Sequence, residues 1–366
     1  MKRSISVILA AALLLTALVL PLRAPMLRLF GASEAIYPCA EAYFTIYIGG
    51  TLFALLASGL NQFIIAQGFA KTGMKLVMLG AGLNILLDPL LIWGWWGLPE
   101  LGIAGAGLAT ALSQYLVLAI LVVAVFREAH FATRRRRRVA FAWQTRALLG
   151  ITRFGLPSGS HVLLDVGTFA VFVFLTGRLD ALSFAASNIA FSINHLVFAP
   201  LMGLGMAANI LTGQCMGDRD VAGARRVGRN CVLLGWGYLV LCAAVILGFN
   251  GPILCAFFPA HAPFTYAEFL PLSQKLIVIF LAWALFDTWN LVLGGALKGA
   301  GDTHFVMGWV CSVAVFLWMP ALFGLYLADF GIVALWLSIV FYVTLAGCGL
   351  LIRFLRGRWE TIRMIE

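Results

Sequence analysis

The stretch NCVLLGWGYLVLCAAVILGF, residues 230–249, decides the fold class, because no charged side chain interrupts it. A helix that crosses a bilayer takes about 20 predominantly apolar residues, which this stretch supplies. Nine other apolar runs of near-spanning length lie along the chain, at residues 5–23, 40–66, 75–96, 104–126, 154–176, 182–212, 267–295, 305–327 and 332–354. The sequence therefore predicts an all-α polytopic membrane protein with about ten transmembrane helices.

The composition of the chain excludes several function classes. Of its 366 residues, 62% are hydrophobic and 11% are charged, and the mean hydropathy is +0.99. No zinc-protease, serine-hydrolase or P-loop motif occurs in the sequence, and we predict that the chain is not an enzyme. The net charge is +10, but the basic residues lie between apolar runs, so we expect no nucleic-acid partner. The seven cysteines lack C-x-x-C spacing and predict no disulfide framework.

The distribution of basic residues predicts the orientation in the membrane. Ten crossings place both termini on one side, and of the 25 Lys and Arg residues all but Arg23, Arg28, Arg178 and Lys275 fall on that side. Because cytoplasmic connections carry an excess of Lys and Arg, we predict a multi-pass protein of the plasma (inner) membrane with both termini cytoplasmic. We interpret the densest cluster, Arg134 to Arg138, as a topogenic contact with anionic lipid.

An internal repeat divides the chain. Residues 68–72 (GFAKT) match residues 299–303 (GAGDT), Pro89 falls on Pro320, and Gly102-Ile103 pairs with Gly331-Ile332. An even number of helices in each copy predicts parallel copies. The runs 154–176 and 182–212 have no upstream partner, so we expect a complete two-lobed chain to carry about two further helices before Met1.

The repeat predicts two lobes of unequal size. We expect an incomplete N-lobe of four helices at residues 1–130 and an Arg-rich cytoplasmic connection at 131–147. A six-helix C-lobe follows at 148–355, and a cytoplasmic tail at 356–366 ends the chain.

Ionisable residues inside the apolar runs are candidates for function, because a charge in a membrane is costly. Asp165 follows His161 by one helical turn, which places both residues on one helix face. Asp287 lies in the run 267–295 with no basic residue within two turns. Each carboxyl could instead be neutral and hydrogen-bonded to a neighbour. As a pair they predict a cation-coupling site, with Na⁺ or H⁺ as the ion and both carboxylates as ligands for Na⁺, because binding a cation relieves their mutual repulsion.

Other polar residues in the runs receive structural or lining roles. Asp88 precedes Pro89 and predicts a structural helix break. We interpret His195 as a hydrogen-bonded partner between helices. The possible cavity-lining residues are His161, Asn188, Ser192, Trp283 and Asn290.

A series of motifs, in order along most of the chain, carries a resemblance to a known family. They are residues 68–72, 84–89 (NILLDP), 102–110 (GIAGAGLAT), 155–157 (GLP), 213–217 (GQCMG) with 222–226, and 295–303 (GALKGAGDT). The sequence resembles the multidrug and toxic compound extrusion (MATE) family, and within it the NorM-like branch. The resemblance implies a two-lobed bundle of twelve helices, of which the first two are missing here. It also implies that Asp165 and Asp287 occupy the cation-binding acidic positions of that branch, and that Trp283 replaces an aromatic hydroxyl.

The resemblance implies a secondary active exporter that antiports small organic compounds, often cationic drugs, against Na⁺ or H⁺. It requires no cofactor besides the coupling ion, and we expect a monomer in contact with membrane lipids. Two alternatives stay open. One is a lipid-linked oligosaccharide flippase of the same superfamily, which would need several buried Arg or Lys residues facing a cavity. The other is a truncated membrane protein without transport activity.

Overall fold

The computed structural model describes residues 13, 16, 17, 19–29, 37–127, 145–258 and 263–362. Within these residues the regular secondary structure is helical, and nine helices are long and apolar enough to cross a membrane. The predicted all-α polytopic fold is confirmed. Most of the predicted helix 5–23, the Arg134–Arg138 cluster and most of the predicted connection 131–147 lie outside the described residues.

The helices are numbered in chain order. The N-terminal ones are α1 (Arg23–Leu29), α2 (Tyr37–Ala66), α3 (Ala70–Ile92) and α4 (Gly102–Arg127). They are followed by α5 (Thr145–Thr176), α6 (Ala181–Gly217), α7 (Val221–Gly248), α8 (Asn250–Ala256) and α9 (Tyr266–Gly299). The last span consists of α10 (Thr303–Ser312), a π-helical turn (Val313–Trp318) and α11 (Met319–Leu327), and α12 (Gly331–Arg356) completes the bundle.

The chain divides into two compact units, Met1–Ile151 and Thr152–Glu366. In the first unit α2, α3 and α4 pack around a small core of Ala57, Leu60, Ile64, Leu76, Val117 and Leu121. The second unit has a much larger buried core, which extends from α5 to α12. The predicted lobe boundaries near residues 130 and 148 stay a prediction.

In the two copies of the internal repeat, the helices α4 and α12 begin in the same way. The last helix of each unit, α4 and α12, has 26 residues and begins at a glycine. Gly102 and Gly331 adopt φ angles of 54° and 78°, a left-handed conformation that glycine adopts without a steric penalty. Pro320 lies directly after the π-helical turn. Because proline lacks an N–H and its ring crowds the preceding turn, the wider π turn accommodates it.

Asp88 and Pro89 do not break their helix where the sequence predicts. Helix α3 continues through Pro89 to Ile92, and the N–H of Trp93 donates to the carbonyl oxygen of Pro89 at 3.3 Å. The pair therefore lies in the last turn of α3, close enough to the end that the hydrogen bond lost at Pro89 does not stop the helix.

Acidic residues at helix ends in the second unit cap the backbone. The carboxylate of Asp180 accepts bonds from the backbone N–H and the hydroxyl of Ser183, at 2.7 and 2.8 Å, and begins α6. Burial raises the pKa of Asp180, but these hydrogen bonds outweigh it and hold that pKa below its usual value. Asp220 caps α7 in the same way, and Thr265 and Glu268 form a capping box on α9.

Helices α6 and α9 cross so closely that their backbones touch. A Cβ atom on Gly295 would lie 2.2 Å from the carbonyl oxygen of Gly205, and one on Gly299 would lie 2.1 Å from that of Asn209. In the opposite direction, a Cβ on Gly205 would lie 2.7 Å from the carbonyl oxygen of Leu291. Small residues at such crossings let membrane helices approach, so this contact fixes the position of α9.

Gly295→Ala is expected to destabilise the protein, because the clash is with backbone and the two helices must separate to relieve it. Overpacking of this kind costs about 1–3 kcal/mol. The matched control is Gly294→Ala in the same turn, where the nearest atom would be the Leu350 side chain at 3.5 Å, an ordinary contact. The difference in stability is measured from the thermal unfolding midpoints of both variants in detergent, with size-exclusion chromatography as the readout. Equal midpoints would contradict the close crossing.

Candidate cation site

Helices α5 and α9 run antiparallel beside each other in the second unit. Near the C-terminal half of α5, the ring centroids of Phe169 and Trp283 are 6.1 Å apart. Near the N-terminal half of α5, Nδ1 of His161 lies 3.2 Å from Nζ of Lys298. Going backward along α5 therefore corresponds to going forward along α9, so the two helices run antiparallel.

The two predicted carboxylates both lie near the Phe169–Trp283 contact. Asp165 lies one helical turn from Phe169 toward His161, and Asp287 lies one turn from Trp283 toward Lys298. One turn spans about 5.4 Å on each helix, so each carboxylate lies about one turn from this contact. The two carboxylates are close enough for their charges to interact. Asp165 is exposed and Asp287 is half-buried.

Lys298 is a residue of this site that the sequence analysis assigns to a cytoplasmic connection. Helix α9 continues to Gly299, so Lys298 lies in its last turn, where a cation is favoured by the helix dipole. An ammonium group has only donors, so Nζ donates to Nδ1 of His161 and the ring proton is on Nε2. The charge of Lys298 also acts on Asp165. In sequence, Lys298 lies three turns from Asp287, and only the packing of α5 against α9 shows its role.

Unpaired polar atoms flank Asp287 on both sides. Asn290 donates from Nδ2 to the carbonyl oxygen of Val343 on α12 at 2.9 Å. Its Oδ1 is buried and has no hydrogen-bond partner among the described residues, and the same is true of Nε1 of Trp283. Hard cations take oxygen ligands, and the Asn290 oxygen is placed one turn from the Asp287 carboxylate. The oxygens of Asp165, Asp287 and Asn290 are of the type that Na⁺ takes as ligands.

Two further side chains contribute to the electrostatic surroundings of Asp165. Cys311 on α10 and Tyr342 on α12 both interact with its charge. Among the residues that the structure describes, no group of three or more His, Cys, Asp and Glu side chains comes together to hold a metal ion. The candidate site is a pair of carboxylates with one amide oxygen and a lysine nearby.

An aromatic cluster holds the other half of α5. Phe169 and Phe172 pack against Phe191 of α6 and Trp336 of α12, with ring centroids 5.5–6.0 Å apart. Trp336 is fully buried and donates from Nε1 to the hydroxyl of Ser187 at 3.1 Å. This cluster fills the bundle on one side of Asp165, so the polar groups of α5 lie on the side toward His161 and Lys298.

The remaining predicted lining residues lie elsewhere. Asn188 and Ser192 are exposed on α6, and the Ser192 hydroxyl donates to the Asn188 carbonyl oxygen at 2.9 Å. His195 is exposed on the same helix. Within the described residues, no hydrogen bond joins these three side chains to Asp165 or Asp287. The structure thus places His161 beside Lys298 and Trp283 beside Phe169, while the assignment of Asp165, Asp287 and Asn290 to one site stays a prediction, as do the lining roles of Asn188 and Ser192.

A bundle of membrane-spanning helices with carboxylates on its spans is typical of ion-coupled transporters. The comparison with known families agrees: the MatE family profile matches residues 1–90 and 157–323. The chain belongs to the MatE family. Its members are transporters and not enzymes.

The similar curated proteins carry the name of one transporter. The chain is 30% identical over 267 residues to the probable multidrug resistance protein NorM of Bradyrhizobium diazoefficiens. It is 28% identical over 349 residues to the protein of that name from Pseudomonas aeruginosa. These alignments cover 70% and 93% of this chain, but 54% and 69% of the relatives. The chain thus matches only part of the length of these proteins.

Solved structures show the same fold. The eukaryotic MATE transporter AtDTX14 matches with a TM-score of 0.82 and 18% identity, over 98% of this chain and 78% of that protein. An outward-facing multidrug resistance MATE family transporter matches with a TM-score of 0.78 and 19% identity, over 97% of this chain and 77% of that protein. At this identity the agreement establishes the fold, and the function has to be argued from the site.

Proposed function

We propose that the chain acts in secondary active export of small organic compounds, often cationic, by antiport against Na⁺ or H⁺. The observation that carries this proposal is the presence of two carboxylates, Asp165 on α5 and Asp287 on α9, in one unit with a large apolar core. The names of the NorM relatives support multidrug compounds as the substrate class. Because the chain covers 54% of one relative's length, the activity of a whole transporter is part of the proposal.

The geometry suggests how one ion controls the lobe. When both carboxylates are charged and empty, they repel each other in a low-dielectric environment. A bound Na⁺ or proton removes the repulsion and allows α5 and α9 to draw together. The Lys298 ammonium offsets part of the Asp165 charge on the side toward the end of α9. If the drug and the coupling ion each favour a different state of the lobe, each displaces the other without sharing a ligand.

We propose the predicted orientation as well, with both termini cytoplasmic in the plasma membrane and a monomer as the functional unit. The distribution of Lys and Arg supports it, because the arginines of α7 and of the end of α12 fall on one side. On this orientation Lys298 and His161 lie toward the cytoplasm, and the route from the carboxylate pair to the cytoplasm passes them.

The proposal is tested by dye efflux from proteoliposomes that contain the purified chain. We expect ethidium movement when either a Na⁺ gradient or a pH gradient is imposed, and none when both gradients are absent. The gradient that drives transport identifies the coupling ion. Movement that is equally fast without any gradient, or no movement in protein shown to be folded by its thermal transition, would contradict antiport by this chain.

A further inference from the structure

A groove outside the carboxylate site lies between α7, α9 and α12. It has a volume of about 360 Å³. Three arginines, Arg225, Arg226 and Arg229, stand at one end, and the walls are apolar side chains. On α7, Leu233 and Trp236 continue inward from Arg229 at helical spacing, so the groove follows the helix axis.

One wall of the groove is held by a ring contact and a hydrogen bond, and the other wall is formed by exposed side chains. The indole rings of Trp236 and Trp289 lie 5.8 Å apart, and Trp236 donates from Nε1 to the carbonyl oxygen of Leu285 at 3.1 Å. At the rim, Leu233 and Leu355 are 56% and 64% exposed. A groove with apolar rims is suited to a ligand that reaches it from within the bilayer, since water would leave these side chains unfavourably hydrated.

Ion pairs within the protein neutralise only part of the positive charge at the mouth of the groove. Arg225 is paired with Glu360, and Arg226 lies 3.6 Å from a carboxylate oxygen of Asp220. Arg229 is exposed, and no ion pair to it occurs among the described residues. The mouth therefore has a net positive charge, with guanidinium groups whose planar donors suit a phosphate.

The length of the groove matches one leaflet. From Arg225 to Trp236 the helix rises about 16 Å, at about 1.5 Å per residue. Half the hydrocarbon thickness of a bilayer is about 15 Å. A ligand with an anionic head at the arginines and a chain against the two tryptophans fits this spacing, whereas a compact drug or a free phosphate would use only one part of it.

We propose that this groove binds one anionic phospholipid of the cytoplasmic leaflet, with its phosphate at Arg226 and Arg229 and an acyl chain along Leu233, Trp236 and Trp289. Basic pockets between transmembrane helices on the cytoplasmic side favour anionic headgroups. This site is separate from the Asp165–Asp287 pair, and the proposal does not depend on transport.

A second groove on the other face of α12 provides a matched control. It measures about 290 Å³ and is also bordered by three arginines, among them Arg353 and Arg356. There Arg353 is occupied by Asp302 and lies over the Phe305 ring. Arg356→Gln removes one positive charge from the last turn of α12, and Arg356 does not line the first groove.

The experiment is native mass spectrometry of the detergent-purified full chain, titrated with phosphatidylglycerol or with phosphatidylcholine of the same acyl chains. We expect one tightly bound phosphatidylglycerol, and about fivefold weaker binding in Arg229→Gln, in line with one lost arginine contact. Arg356→Gln should change the affinity by less than twofold. Since Arg229 is exposed and unpaired, its variant should fold, which the thermal transition checks.

Four outcomes would overturn the proposal. Equal binding of phosphatidylcholine would show that the headgroup charge has no role. Equal losses in Arg229→Gln and Arg356→Gln would show attraction to the charged surface as a whole. Phosphatidylglycerol with brominated acyl chains can also be used to quench tryptophan fluorescence. If the quenching is the same in the wild type and in Trp236→Phe/Trp289→Phe, the acyl chain lies outside the groove. Inorganic phosphate at the same concentration should not compete, and competition by it would assign the site to a free anion.

Discussion

Asp165→Asn and Asp287→Asn are each expected to abolish cation-coupled efflux while leaving expression and membrane insertion unchanged. The amide has nearly the same shape as the carboxyl and is less costly to bury, so the fold should tolerate it. It carries no charge to attract Na⁺ and has no proton to exchange, so the pair can no longer respond to the coupling ion. The measurement is gradient-driven ethidium efflux from proteoliposomes with matched protein content.

Two further asparagine variants serve as comparisons for this experiment. Asp329 is exposed and has a φ of 54°, a conformation that asparagine tolerates, so Asp329→Asn should transport normally. Asp88→Asn is expected to lower expression or folding if Asp88 acts only on the end of α3. Normal coupled transport by both lobe variants, together with lost coupling in well-expressed Asp88→Asn, would move the ion site to the first unit.

Asp302→Ala is expected to cause the largest loss of stability among single substitutions in the described part of the chain. Two nitrogens of Arg353 donate to the two carboxylate oxygens of Asp302, at 2.7 and 3.2 Å, and the Asp302 side chain is 6% exposed. Removing one partner of a buried pair leaves an uncompensated charge, which costs about 3–5 kcal/mol. Thermal unfolding in detergent should show a clearly lower midpoint.

The double variant Asp302→Ala/Arg353→Met separates this cause from a general packing defect. When both charges are replaced by apolar groups, the desolvation penalty disappears, so the double variant should recover much of the lost stability. Glu41→Gln, which removes the charge from the partly exposed pair with Arg23 at 3.1 Å, should cost less than about 1 kcal/mol. A double variant as unstable as Asp302→Ala alone would mean that the ion pair is not what Asp302 contributes.

The sequence by itself determined the membrane class and the set of spans. A helix in a bilayer must satisfy its own backbone hydrogen bonds over a fixed thickness, so length and hydrophobicity are sufficient to locate it. Nine of the ten predicted helices lie largely within the described residues and have spanning counterparts there. The motifs also identified the family, because their order along the chain is preserved.

Local rules were less reliable at helix ends. The Asp88–Pro89 pair predicts a break, but α3 continues to Ile92, since a proline in the last turn costs few hydrogen bonds. Similarly, the run 267–295 extends to Gly299. That extension places Lys298 on the helix, although its charge suggests a connection.

Only the tertiary structure decided which polar side chains meet. Charged residues are rare in the apolar runs, and this pointed to Asp165 and Asp287. Which polar residues lie near them, such as Lys298 on α9 or Asn188 on α6, depends on how the helices pack. The Gly205–Gly295 crossing holds α9 against α6, and the contact of Phe169 with Trp283 holds α9 against α5. These contacts join residues far apart in the chain, and hydrophobic periodicity along one helix contains no information about the face that its partner presents. For this reason the sequence named the carboxylates as candidates, whereas only the packing of α5 against α9 showed that Lys298 lies beside His161.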